Sequence, residues 1–193
     1  MAFHKFETEF EDLYIIKPDV FGDERGFFQE LYNSEAFAAI GLGHLSFVQD
    51  NLSYSGMGTL RGLHFQAPPH AQGKLVTTLR GRVLDVALDI REGSKTFGKV
   101  FAYVIDDQSR EMLYIPPGFA HGFQVLSEDC LFLYKCTSSY HRESEGGVLW
   151  NDPQIAVPWE DIEPILSPKD KLHPTWESFE TPFKQVQNQV ESH

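Results

Sequence analysis

Apolar residues in this chain recur mostly at every second position, in short runs separated by Gly, Pro, Asp and Ser. Leu75–Leu79, Val83–Ile90, Phe97–Ile105, Glu111–Ile115, His121–Val125 and Cys130–Cys136 all read as strands. Arg80-Gly-Arg82 gives a hairpin signal between two of them, and Asp106–Ser109 and Pro116-Pro-Gly118 mark further turns. Near-regular spacing of short strands predicts an all-β jelly roll, a sandwich or barrel with a few short peripheral helices. Residues 1–20 read as two edge strands, and an N-terminal strand of this kind could be exchanged with another subunit. Phe21–Glu30 reads as a turn leading into a strand, and Phe47–Asn51 as a strand end whose polar terminus suggests a pocket rim. Ser34–Ile40 predicts one short helix, with Ser34 as N-cap and Gly41 ending it. Residues 151–193 are Pro-rich and polar, and predict a peripheral extension wrapped on the outside. Phe179–Val190 fits a last amphipathic helix. The whole, 1–193, reads as a single domain.

Charge narrows the choice of partner. The formal net charge is −12. A field of that sign disfavours nucleic acid and anionic membranes as general partners, while local cations can still hold an anionic small molecule. Aromatic residues reach 13%, 16 of them Phe, a bias that suits β packing. Cys130 and Cys136 lie six residues apart on one predicted strand, roughly 20 Å of extended chain. A disulfide needs Cα atoms within about 7 Å, so free thiols and a reducing cytoplasm are expected. The start of the chain has no apolar signal core, and no run approaches the length of a membrane span.

The stretch richest in chemistry is Gly58–Gln66, followed by a Pro-rich turn and Lys74. Two cations, Arg61 and Lys74, and one imidazole, His64, come from neighbouring strands, an arrangement suited to proton abstraction beside a carbonyl. A lone His64 also fits a hydrogen-bonded core histidine. Lys74 tips the balance, because a lysine on a core face is costly to bury. Strand parity raises a conflict: Arg61 and His64 fall on opposite faces. Both reach one pocket only if the strand bends, and Gly62 is the expected place. A metal reading is weaker, since His64-Phe-Gln66 lacks the second histidine of a His-x-His pair, and only His121 matches the later half of such a site. Tyr134 fits either a buried phenol or an acid acting across a pocket, and Asp170, Tyr140 and Glu145 stand in loops with nothing local to single them out.

Several segments converge on one resemblance. Leu60-Arg-Gly-Leu-His-Phe-Gln66, Ile115-Pro-Pro-Gly-Phe-Ala-His-Gly-Phe123 and Ser167-Pro-Lys-Asp170 carry it, with Gly22–Phe28, Gln49–Asn51, Gln72–Val76, Asp85–Arg91, Leu133–Lys135 and Trp150–Asp152. In that order, across roughly residues 13–170, they resemble the dTDP-4-dehydrorhamnose 3,5-epimerase family of rhamnose biosynthesis. The resemblance implies a cupin-type jelly roll, a homodimer, no metal and no cofactor, and dTDP-4-dehydro-6-deoxy-D-glucose as substrate. It implies that His64 is the base, Asp170 its carboxylate partner, Lys74 the cation on the C4 enolate and Tyr134 the acid on the opposite face. It further implies substrate contacts from Arg25, Glu30, Gln49, Asp50, Asn51, Arg61, His121, Glu145 and Lys169, with Tyr140 stacking on the thymine. Three rivals stay open: a 3-epimerase that leaves C5 alone, a non-catalytic nucleotide-sugar-binding jelly roll, and a metal cupin oxygenase.

Overall fold

Alternation along the strands sorts the apolar side chains into three layers. The computed structural model describes residues 1–184, with strands β1 (Phe3–Glu7), β2 (Tyr14–Pro18), β3 (Val20–Asp23), β4 (Gly26–Gln29), β5 (Gln49–Gly56), β6 (Leu60–Gln66), β7 (Lys74–Arg80), β8 (Arg82–Asp89), β9 (Val100–Asp106), β10 (Met112–Ile115), β11 (Phe119–Val125), β12 (Asp129–Cys136) and β13 (Glu145–Gly147). One antiparallel sheet has the order β1-β2-β10-β7-β12-β5, the other β13-β6-β11-β8-β9, and β3 and β4 form a separate hairpin.

The two large sheets face each other as a jelly-roll sandwich. Val76, Leu113, Cys130 and Phe132 of the first meet Val83, Ala87, Ile105, Phe119 and Phe123 of the second. Outside the first sheet, helix α1 (Ser34–Ala39) and its flanks cover Phe3, Ile16, Leu75 and Met112. Outside the second, Leu84, Val86 and Leu88 are covered by the C-terminal segment through Ile155, Trp159, Trp176, Phe179 and Phe183. With both faces covered, β8 is buried at all but its first residue, as expected of a central strand.

Five expectations need correction. Arg80-Gly-Arg82 is a corner, not a hairpin: β7 pairs with β10 and β12, while β8 pairs with β11 and β9. One linking residue is too short for a two-residue hairpin loop. Gly81, at φ +85°, sits where a Cβ would lie 2.2 Å from the Asp129 carbonyl oxygen. Of the two N-terminal strands only β1 is an edge; β2 lies between β1 and β10. The β5 strand starts at Gln49 rather than ending there. Asn33, not Ser34, caps α1, its side chain accepting from the Glu35 and Ala36 amides. No helix forms over 179–184, where Phe183 instead bridges to Arg91 and covers apolar surface. Residues 185–190 of that expected helix lie outside the described residues.

Candidate active site

A cavity of about 290 Å³ opens between the sheets, lined by Arg61, His64, Lys74, His121, Phe132, Tyr134, Glu145, Lys169 and Asp170 among others. It joins a second of about 340 Å³ that shares His64, Lys74, Tyr134 and Glu145 and adds Gln49, Asn51, Gln72, Cys136 and Tyr140. Parity delivers most of these groups. Lys74 shares the inner face of β7 with Val76, and Tyr134 that of β12 with Phe132.

The conflict between Arg61 and His64 is resolved at Gly62. The β6–β11 register shifts between the His121–His64 pair and the Phe123–Arg61 pair, so three steps on β6 face two on β11. Gly62 takes φ +141°, and a Cβ there would stand 2.5 Å from Gly122 Cα. Only glycine fits this bend, and both side chains line the same cavity.

Asp170 arrives from far along the chain. Leu60 donates its amide to the Ile165 carbonyl, and Thr59 bridges to Ile165, so the 160s return beside β6. Asp170 opens a 3-10 turn, Asp170–Leu172, and is 3% exposed. His64 Nε2 lies 2.5 Å from Asp170 Oδ1, and Ser167 Oγ donates to Oδ2 at 2.7 Å. Burial pushes the Asp170 carboxyl up, but the hydrogen bonds from His64 and Ser167 outweigh it and hold the group below the usual carboxylate range. An ionised carboxylate only accepts, so His64 Nε2 carries the proton and Nδ1 is left as the basic nitrogen.

Burial sets the other charges. It lowers Lys74 below the ordinary lysine range, against opposing pulls from Cys136, Asp85 and Glu145. It raises the Tyr134 phenol, keeping it protonated, and raises the Cys136 thiol. His121, whose Nε2 lies 2.9 Å and 3.1 Å from the two oxygens of buried Asp85, is held low by burial, so it stays neutral. Glu145 is pushed up by burial but pulled lower overall by Lys169 and Tyr140. Glu145 accepts from the Tyr140 hydroxyl at 2.8 Å and pairs with Lys169, while Gln49 accepts from the Tyr140 amide at 2.9 Å and donates to Asn51 at 2.9 Å. Arg61 donates to Ser55 Oγ at 3.2 Å.

Three expected contacts lie elsewhere in this chain. Asp50 sits on the outer face of β5 and pairs with Lys135 at 2.7 Å. Arg25, at the tip of the β3–β4 hairpin, is exposed and pairs with Asp23. Glu30, just past β4, accepts from Asn33. The sequence reading missed Asp85, Ser167 and His173. Asp85 and Ser167 carried a signal, Asp85 as an acid at an inward position of a largely apolar strand and Ser167 as part of the Ser167–Asp170 motif.

His64, Asp170 and His173 each offer one metal-ligand atom, all within 4.8 Å of one another. Two ligands of a tetrahedral zinc with bonds near 2.0–2.1 Å stand roughly 3.3 Å apart. The 2.5 Å between His64 and Asp170 is instead a hydrogen-bond separation. The arrangement brings an imidazole bound to a carboxylate, a buried lysine and a phenol to one cavity.

Residues 7–178 match the family model described as dTDP-4-dehydrorhamnose 3,5-epimerase. The enzyme of that name from Escherichia coli K12 is 52% identical over 166 residues, covering 85% of this chain and 89% of its own. Among solved structures, the dTDP-4-dehydrorhamnose 3,5-epimerase of Elizabethkingia anophelis NUHP1 superposes with a TM-score of 0.85 at 47% identity, over 92% of this chain and 98% of its own. The dTDP-6-deoxy-D-glucose-3,5-epimerase of Legionella pneumophila Philadelphia 1, in complex with dTDP-4-keto-L-rhamnose, superposes with a TM-score of 0.89 at 43% identity, over 94% and 97%.

Proposed function

This chain belongs to the dTDP-4-dehydrorhamnose 3,5-epimerase family, and from that membership we propose that it inverts C3 and C5 of dTDP-4-dehydro-6-deoxy-D-glucose through the residues of this cavity. The observation that carries the reading is the meeting of His64, Lys74 and Tyr134 at one cavity, with His64 held by Asp170. The C4 ketone acidifies the hydrogens on both neighbouring carbons, so one base can serve both in turn. His64 Nδ1 takes the proton, and ionised Asp170 steadies the imidazolium. Charged Lys74, in a site shielded from water, stabilises the enolate oxygen. The Tyr134 phenol, kept protonated, returns a proton to the other face. No metal or cofactor enters this scheme.

The nucleotide is held by residues of both cavities. Tyr140, fixed through Gln49 and Glu145, offers a ring for the thymine, and Arg61 and Lys169 offer cations for the diphosphate. Gln49, Asn51, His121 and Glu145 line the path between. The active form is a homodimer of one-domain subunits. The β3–β4 hairpin is exposed along nearly its full length and carries Phe21, Phe27 and Phe28. Three open aromatic rings favour a protein partner, and Arg25 on this hairpin then serves the partner subunit's pocket. Both cysteines are free and buried, which supports the cytoplasm as compartment. Among the described residues no helix is long and apolar enough to cross a membrane.

NMR of the product formed in deuterium oxide tests the reaction. Deuterium at both C3 and C5 with the L-rhamno configuration is expected. Label at C3 alone makes the protein a 3-epimerase, and no label makes it a binding protein.

A further inference from the structure

His64 is held from two sides, and only one of them is the carboxylate. The 3-10 turn Asp170–Leu172 is followed directly by His173, whose backbone is extended. The His173 ring meets the His64 ring edge to face, with centroids 5.3 Å apart and planes at 68°. A slot is kept for it. A Cβ on Gly147 would lie 2.5–2.6 Å from three atoms of the His173 ring, and Gly147 is the cross-strand partner of His64 itself. Leu149 donates its amide to the Pro174 carbonyl at 2.9 Å, tying the residue after His173 to the chain that leaves β13. His173 Nε2 is buried and has no hydrogen-bond partner. Packing, not a hydrogen bond at that nitrogen, therefore fixes the ring. Burial first, and then the neighbouring His64, lower its pKa, so His173 stays neutral while His64 takes up a proton.

We propose that His173 is a positioning residue for the reaction: it forms a neutral wall that fixes the tilt of the His64 ring, so that Asp170 holds Nε2 while Nδ1 faces the substrate. This rests on the reading of His64 as the base. The charged and titratable groups around the pair are Asp170, Lys169, Glu145 and His64 itself, and the His173 and Gly147 variants alter none of them.

Three variants separate the possibilities. His173→Ala removes the wall, His173→Leu refills the slot without ring nitrogens, and Gly147→Ala pushes the existing ring aside. In His173→Ala and Gly147→Ala, kcat falls about tenfold, the scale expected when a reacting group is slightly misplaced. KM for the dTDP-sugar stays within about twofold, since substrate contacts are untouched. His173→Leu recovers most of kcat. Wild-type kcat in His173→Ala would overturn the proposal. So would parallel losses of kcat, KM and Tm in all three variants, which mark a merely structural role. His64→Ala is run in the same exchange assay: exchange retained there removes the base assignment itself, whatever the His173 variants do.

Discussion

Replacing His64 by Ala abolishes deuterium uptake at C3 and C5 to within about 10³-fold of the wild-type rate, the usual range for loss of a positioned general base. Neither of the neighbouring histidines is placed to substitute. His121 faces the same cavity, but its Nε2 is held by Asp85 and it sits on the neighbouring strand. His173 stands behind His64 with its Nε2 buried. Tyr134 is held in its protonated form and so is an acid rather than a base at neutral pH. The variant folds, since position 64 is partly open to the cavity and its loss leaves Asp170 still bonded to Ser167. Retained binding of dTDP, read by calorimetry, establishes that the pocket is intact. Full exchange in a folded His64→Ala protein contradicts the assignment.

Lys74→Met gives the second large effect, and it runs in opposite directions for activity and stability. Turnover falls about 10²–10³-fold, the range seen when a preorganised donor to a developing oxyanion is lost. Thermal stability holds or rises. Burial depresses the Lys74 pKa, so the folded protein holds an ammonium less favourably than the unfolded chain, which solvates it better. That penalty is fully present below the folded-state pKa. It is relieved as pH rises from there toward the ordinary lysine value of about 10.4. The Tm gap between Lys74→Met and wild type therefore narrows at alkaline pH. The same depression sets the alkaline limb of kcat/KM: activity requires the charged lysine and declines at a pH below the ordinary lysine range. Tyr134 does not supply that limb, because its pKa is raised. Lys74→Arg carries the limb to higher pH. A Lys74→Met protein with near wild-type turnover removes Lys74 from the enolate.

The sequence made the chemistry more legible than the connections. His64, Lys74, Tyr134 and Asp170 all reach one cavity, and the bend needed at Gly62 is present, because parity and glycine tolerance are local rules. The family motifs, not spacing alone, brought in Asp170, since its contact with His64 spans 106 residues. Arg80-Gly-Arg82 misled because the same turn residues serve a hairpin and a corner between sheets. What decides there is which strands lie across the fold, and no local pattern carries that. Asn33 displaced Ser34 as the helix cap because adjacent polar residues compete and only one has its oxygen over the open amides. Asp50 was grouped with Gln49 and Asn51, but alternation turns it outward. His173 was invisible, since its position depends on a glycine on a different strand.

A structure of the protein with dTDP-4-dehydro-6-deoxy-D-glucose, or a non-reacting analogue, tests the arrangement most directly. The predicted result has His64 Nδ1 roughly 3–3.5 Å from C3 or C5 on one face of the ring, with Lys74 Nζ at hydrogen-bond distance from the C4 oxygen and Tyr134 across the ring. A sugar seated with Lys74 on the diphosphate, or with Nδ1 turned from the ring carbons, would contradict it.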